Sequence, residues 1–384
     1  MRLGAGILPR QGGVVTSSVY VDLVLVALLA AAFWAAPAFA RPTVPFGVRV
    51  PAARVAEPEI VRAHRRYARG VLVAGTLAFV LVAFASAGLR WEPAAAFAAP
   101  VLAAACCGLG YQAHRTVAAA KRSGDWYSGT RQAVATDTSL RTDPVHPQWI
   151  FLAPAAVLFA ITAAIGAWRY GDLPATLPTP NGMTVDSVRR GATTVGRAFA
   201  TVTAQLLIIV LVALLGIALP RARPELDAAQ PAASAARYRD YLAGVLRLLF
   251  GTAGCVAASL LVASLEVWEI VPATTGATVV SYVPLAGAVV AWVAFAFRAG
   301  DAGHRLPADE EDSGRVQRDD DRYWHLAGMV YANRGDPALL VHRRSGVAWT
   351  LNLGHPISWA LLAALAVFAA LAGSGVIELP SRGG

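Results

Sequence analysis

Long apolar runs separated by short polar connections dominate the chain. Eight of them, at residues 20–40, 71–89, 93–111, 149–168, 198–219, 245–265, 277–297 and 356–377, reach the roughly 20 apolar residues a helix needs to cross a bilayer. No water inside the hydrocarbon can bond a free N–H or C=O, so such runs are expected as α-helices. The pattern predicts an all-α polytopic membrane protein with about eight transmembrane helices and a small cytoplasmic cap before the last helix. It divides into a tail (1–19), a four-helix membrane half (20–168), an extracytoplasmic loop (169–197), helices five to seven (198–297), an acidic linker (298–319) and a C-terminal motif region with the last helix (320–377).

Composition agrees with this pattern. Of the 384 residues, 56% are hydrophobic and 15% charged, against about 25% charged in ordinary soluble domains. That excludes a soluble enzyme, a disulfide scaffold and a disordered chain. The net charge is +9, which in a soluble protein would suggest nucleic acid. Here the basic residues follow topology instead. The loops 41–70, 112–148, 220–247 and 298–350 hold 25 of them, and the opposite connections and termini hold 8. Cationic loops stay cytoplasmic, so both termini are expected on the outer side of the membrane and no nucleic-acid partner is expected. Ala38-Phe39-Ala40 also resembles a signal-peptidase site. Cleavage there would put seven arginines outside, against the charge bias, so the first span is kept.

Two polar segments carry patterned chemistry. In 57–70, Ile60, His64, Tyr67 and Val71 share a helical stripe, with Arg62, Arg65, Arg66 and Arg69 largely off it. Those arginines are lipid-contact candidates as well as a topology signal. The loop 298–350 opens with acidic clusters at 309–312 and 319–321. Their spacing brushes a calcium loop but lacks the final Glu and flanking helices, so a solvated linker is expected. The stretch 320–356 follows, dense in aromatics and turn formers, with short strands expected at 339–341 and 348–353 and a turn at Asp336-Pro337. Its partner or ligand candidates are Asp321, Arg322, Tyr323, Trp324, Asn333, Asp336, Pro337, Arg343, Arg344, Gly346, Trp349, Thr350, Asn352 and Gly354.

That stretch, D-R-Y-W…D-P-x-L-x-V…W-T-x-N-x-G-x-P, resembles a C-terminal domain of unknown function found in bacterial multi-span membrane proteins. The run 41–51 is similar to the same proteins. The outer segment 170–186 resembles the short signature of SdpI-related families through Leu173, Pro174, Leu177, Pro178, Asn181, Gly182 and Asp186. The signature histidine is missing, and Pro180 stands near its place. The resemblance implies a bacterial cell-membrane protein doing SdpI-like work: resisting a membrane-active peptide or envelope stress and relaying it inward.

No HExxH, GxSxG or P-loop pattern occurs, and the seven histidines lie outside the centres of the apolar runs. No enzyme activity, metal or cofactor is expected. Ionisable groups are nearly absent from the runs, where a proton-coupled transporter would keep them. Gln205 and Thr203 are the deepest polar pair. The expected function is a non-enzymatic sensor or immunity-type protein with lipid, a peptide or lipid-like ligand, and a cytoplasmic regulatory protein as partners. A permease or exporter subunit for a hydrophobic substrate is the alternative. A four-plus-four duplication is suggested by Tyr67-Ala68-Arg69-Gly70 and Tyr241-Leu242-Ala243-Gly244, each leading into an apolar run.

Overall fold

The computed structural model describes residues 12–88, 93–135, 139–181, 184–344 and 348–373. It is mostly helical, and helices occupy all eight apolar stretches among the described residues. Five are long and apolar enough to cross a membrane, over Pro58–Ala85, Trp149–Asp172, Ala200–Arg221, Pro231–Val267 and Thr275–Gly303; Leu23–Phe39 and Pro356–Val367 are shorter apolar helices. The main helices are α1 (Gly12–Phe39), α2 (Pro58–Gly88), α3 (Pro93–Ser123), α4 (Ala153–Arg169), α5 (Ala200–Ala218), α6 (Pro231–Val267), α7 (Thr275–Ala299) and α8 (Pro356–Gly373).

Two compact units make up the chain. The first comprises Met1–Gln132, Val316–Val330 and Arg343–Ala348; the second comprises Ala133–Arg315, Tyr331–His342 and Trp349–Gly384. The motif region 320–356 thus contributes to both.

In the first unit, α1, α2 and α3 pack around Val26, Val71, Val82, Leu102 and Cys106. Val48, Val50 and Ile60 extend this core into the polar end. The Tyr67 hydroxyl donates to the Phe33 carbonyl at 2.8 Å, tying α2 to α1.

In the second unit, the 37-residue α6 is the central rod. It starts with Pro231 near N1, where the missing N–H costs nothing. α4, α5 and α7 pack against it. Leu152, Ala155, Val212, Phe250, Ala253 and Ala257 form one apolar cluster along it. Gln205, fully buried, donates to the Thr162 hydroxyl (3.2 Å) and the Ala257 carbonyl (2.8 Å), while Thr201 and Ser264 bond at 2.7 Å. Polar groups at this depth hold helices together because lipid offers them nothing. Thr203, by contrast, faces outward.

The two short segments that suggest duplication, 67–70 and 241–244, lie on α2 and α6. Gly70 packs on Leu109 of α3, and Gly244 packs on Phe295 of α7. Each half therefore sets a glycine at the close approach to its following helix.

Small β-hairpins add to the helices. Between α4 and α5, β1 (Thr176–Asn181) pairs antiparallel with β2 (Thr184–Ala192). The register runs Thr176↔Ala192 to Pro178↔Arg190, then shifts to Thr179↔Asp186. Near the C-terminus, β3 (Leu340–His342) pairs with β4 (Trp349–Leu351), His342 opposite Trp349. These strands fall where the alternation in 339–341 and 348–353 predicts them.

Candidate functional site

Asn352 organises the second unit's share of the C-terminal motif. Its side chain is fully buried, and its amide donates to the carbonyls of Asn333 (2.9 Å), Asp336 (3.0 Å) and Ala338 (3.1 Å). Its Oδ1 accepts from the N–H of Asn333 (2.9 Å) and Gly354 (3.0 Å). A carboxamide carries both donors and acceptors, so it can satisfy both kinds of backbone group that a tight loop leaves over. Its own backbone is used as well: the N–H donates to Leu339, and the carbonyl accepts from the Ser358 hydroxyl at 2.6 Å. A Cβ at Gly354 would lie 2.4 Å from the Asn333 carbonyl carbon, so no larger residue fits there.

Beside it, Tyr331 donates to Asp336 (2.9 Å) and accepts from Asn333 (3.1 Å) and Arg223 (3.2 Å). Arg223 also pairs with Asp336 and covers the Tyr331 ring at 5.0 Å. Burial raises the Tyr331 phenol above its ordinary range, with Arg223 opposing. Asp336 accepts from Ala338 N–H at 2.9 Å, which makes the turn predicted at Asp336-Pro337; Pro337 itself is exposed.

The β3–β4 hairpin rests on the N-terminal end of α6. Trp349 donates to the Tyr238 hydroxyl at 3.3 Å. His342, fully buried, lies edge-on to Trp349 (5.2 Å), Tyr241 (5.9 Å) and Tyr238 (6.0 Å), with Nε2 3.4 Å from the Asp301 carboxylate. Thr350 pairs with Val341 in the ladder.

At the C-terminal end of α6, Val267 and Trp268 pack against Leu173, Leu177, Ala198 and Val202 at the base of the β1–β2 hairpin. Trp268 donates to Ala198 at 2.8 Å, and the Thr193 hydroxyl donates to Pro174 at 2.5 Å. Arg190 bonds Glu269 (2.7 Å) and the Thr176 carbonyl (2.7 Å). Leu173 and Pro178 are buried, whereas Val188 is 89% exposed near the register shift. Asn181 and Asp186 sit in the two strands. Gly182 and Gly346 lie outside the described residues.

The first unit holds a separate ion cluster. Lys121 pairs with Asp319 (2.7 Å) and Asp321 (2.6 Å), Arg49 pairs with Asp320 (3.1 Å), and Arg344 pairs with both Asp320 and Asp321. The Asp321 carboxylate also accepts from the Arg49 N–H at 3.1 Å. Arg344 is fully buried and stacks 5.1 Å over the ring of buried Trp324. Burial and the neighbouring Arg344 lower Arg49 to about 10, with Asp320 opposing. For Asp321, burial pushes upward but Arg344 and Lys121 outweigh it, leaving its carboxyl below the usual range. Burial also raises the Tyr127 phenol, whose ring lies 4.9 Å from the Lys121 ammonium. Arg322 is exposed and bonds the Tyr323 hydroxyl at 2.6 Å; Arg343 donates its N–H to Ala348.

Three aspartates held by three cations neutralise one another, so the cluster is an internal clasp. Among the described residues no group of three or more His, Cys, Asp or Glu is placed to hold a metal ion.

With this geometry in place, similarity to known proteins can be located. Residues 334–359 match DUF5808, a family of unknown function. That segment contains Asp336, Trp349, Asn352 and Gly354, the residues that build the second unit's motif. No curated protein and no solved structure matches the chain.

Several site residues have no sequence signal of comparable strength. Arg49, Arg223, Tyr331, Tyr238, Tyr241, Asp301 and His342 read as loop or span-end residues. Lys121 is the one lysine among 33 basic residues, and that singularity marks a cation held by two carboxylates. Asp319 and Asp320, expected in or beside a solvated acidic tract, are clasp members with Asp321.

Proposed function

We propose that this protein is a bacterial cytoplasmic-membrane sensor of the SdpI-like immunity type, with eight spans, both termini outside, and no catalytic chemistry of its own. Its ligand is a membrane-active peptide or lipid-like molecule received at the outer hairpin 176–192. Its output is what the segment 331–356 presents to a cytoplasmic regulatory protein.

The observation that carries this reading is the reach of α6. One continuous helix touches the hairpin base through Trp268 and the C-terminal motif through Tyr238 and Tyr241. Between Tyr241 and Trp268 it rises about 40 Å at ~1.5 Å per residue, enough to cross the hydrocarbon. A shift or rotation of a stiff rod moves both ends together, so a ligand favouring one hairpin position biases the motif. The permease alternative needs a polar path at mid-bilayer. The buried polar pair nearest that depth is instead closed on itself, the Gln205 amide donating to the Thr162 hydroxyl and the Ala257 carbonyl, while Thr201 and Ser264 bond each other nearer the hairpin end of their helices.

A strain lacking the gene, complemented with the intact chain, Arg190→Gln or Trp349→Ala, tests the reading. Under challenge with membrane-active peptides, the deletion strain is more sensitive. Both variants insert in the membrane but fail to restore resistance. Equal sensitivity of deletion and parent strains overturns the proposal.

A further inference from the structure

Most carboxylates of the first unit are occupied within it. Asp319, Asp320 and Asp321 hold Lys121, Arg49 and Arg344, while Glu57 holds Arg54 and Glu59 holds Arg62. Among the described residues, Arg65, Arg66 and Arg69 of α2 and Arg115 and Arg122 of α3 are exposed and make no ion pair. Among its described residues this unit therefore carries surplus cations that an outside anion can neutralise.

One of them, Arg115, lines an open hollow on the exposed face of α3. An open groove of about 410 Å³ runs along α3, lined by Gly108, Tyr111, Gln112, Arg115 and Thr116. These positions recur at i, i+3, i+4, i+7 and i+8, so they form one helical stripe. The stripe continues upstream through exposed Ala105, Ala104 and Val101. Read along the helix, the chemistry changes in order from apolar side chains to a bare glycine, an aromatic ring, a carboxamide and a guanidinium. Tyr111 stands where an interfacial aromatic belongs, at the boundary between apolar and polar segments. The Thr116 hydroxyl already donates to the Gln112 carbonyl at 3.0 Å. The donors left for a ligand are the Tyr111 hydroxyl, the Gln112 amide and the Arg115 guanidinium.

We propose that this groove binds a single anionic phospholipid, its phosphate on Arg115 and Gln112 and its upper acyl chain along Gly108 and Val101. A guanidinium matches a phosphate in geometry as well as charge. The absent side chain at Gly108 leaves room for a chain to lie against the helix. The neighbouring arginines of α2 add a general attraction to anionic lipid, whereas the groove supplies a defined position. The assignment takes α3 as embedded in the bilayer as far as about Tyr111, so it rests on the eight-span part of the proposed function and not on the sensor role.

The test uses the full-length protein, delipidated and placed in nanodiscs of phosphatidylglycerol or phosphatidylcholine, with retained lipid counted by native mass spectrometry. Phosphatidylglycerol is retained over phosphatidylcholine. Arg115→Gln weakens that retention about fivefold, the loss expected for one basic residue at an anionic surface. Gly108→Leu does the same by filling the groove; a Cβ there meets nothing within 4 Å, so the fold is unaffected. Equal retention of the two lipids overturns the proposal, as does retention indifferent to both variants. Displacement of the lipid by an equal concentration of inorganic phosphate overturns it too, because the site would then take any phosphate.

Discussion

Replacing Asn352 by alanine removes five hydrogen bonds at once, three donated to carbonyls and two accepted from backbone N–H groups. Each intramolecular bond contributes about 1 kcal/mol net, and a buried partner left unsatisfied costs about 1–3 kcal/mol. Some of the five exposed backbone groups will regain water as the loop relaxes. A loss of about 3–4 kcal/mol in the local stability of 331–355 follows. Asn352→Asp is no remedy: it keeps the acceptor but sets a carboxylate against three carbonyls. Hydrogen–deuterium exchange of the intact protein in nanodiscs reads this directly. Amides across 331–355 should exchange roughly 10²–10³ times faster in the alanine variant, while those in the middle of α6 keep their protection. If protection of 331–355 changes by less than about threefold, the asparagine is not what holds the motif, and the reasoning fails.

Two further predictions concern the first unit. Asp321 has a lowered folded pKa, so its stabilising charge is fully present above the unfolded value, about 3.9, and is lost as pH falls through the folded value. Protection of 316–330 should therefore stay flat from pH 8 to about 5 and decline below about 4. Asp321→Asn should remove that acid dependence, and a decline beginning near pH 6 would contradict the assignment. Gly47 has φ +79°, and a Cβ there would lie 2.1 Å from the Ala327 carbonyl oxygen. Gly47→Ala should cost at least about 1–3 kcal/mol. An unchanged unfolding midpoint would show that this close approach does not contribute to stability.

Legibility differed sharply between the fold and the site. Every apolar run expected as a span is largely helical in its described residues, the conformation a backbone would need in order to bond itself in lipid. The strands near 339–341 and 348–353 and the turn at Asp336-Pro337 were legible from local alternation and turn chemistry. The partition of the motif was not. Asp321, Trp324 and Arg344 belong with Arg49 and Lys121, more than 190 residues upstream in sequence, whereas Asn333, Asp336, Trp349 and Asn352 belong with Arg223 and α6. A run of three aspartates looks like a solvated tract until the cations that hold it are found.

Apolar length determined from sequence where the main helices lie, five of them long and apolar enough to cross a membrane. Apolar length is a local quantity, set by the cost of burying a peptide group in hydrocarbon. Tertiary structure alone decided that Asn352 is a keystone, that the aspartates are neutralised, and that α6 touches the hairpin base and the motif. Those facts depend on which distant segments meet, and a pairing between residues far apart in the chain leaves no period or spacing to read.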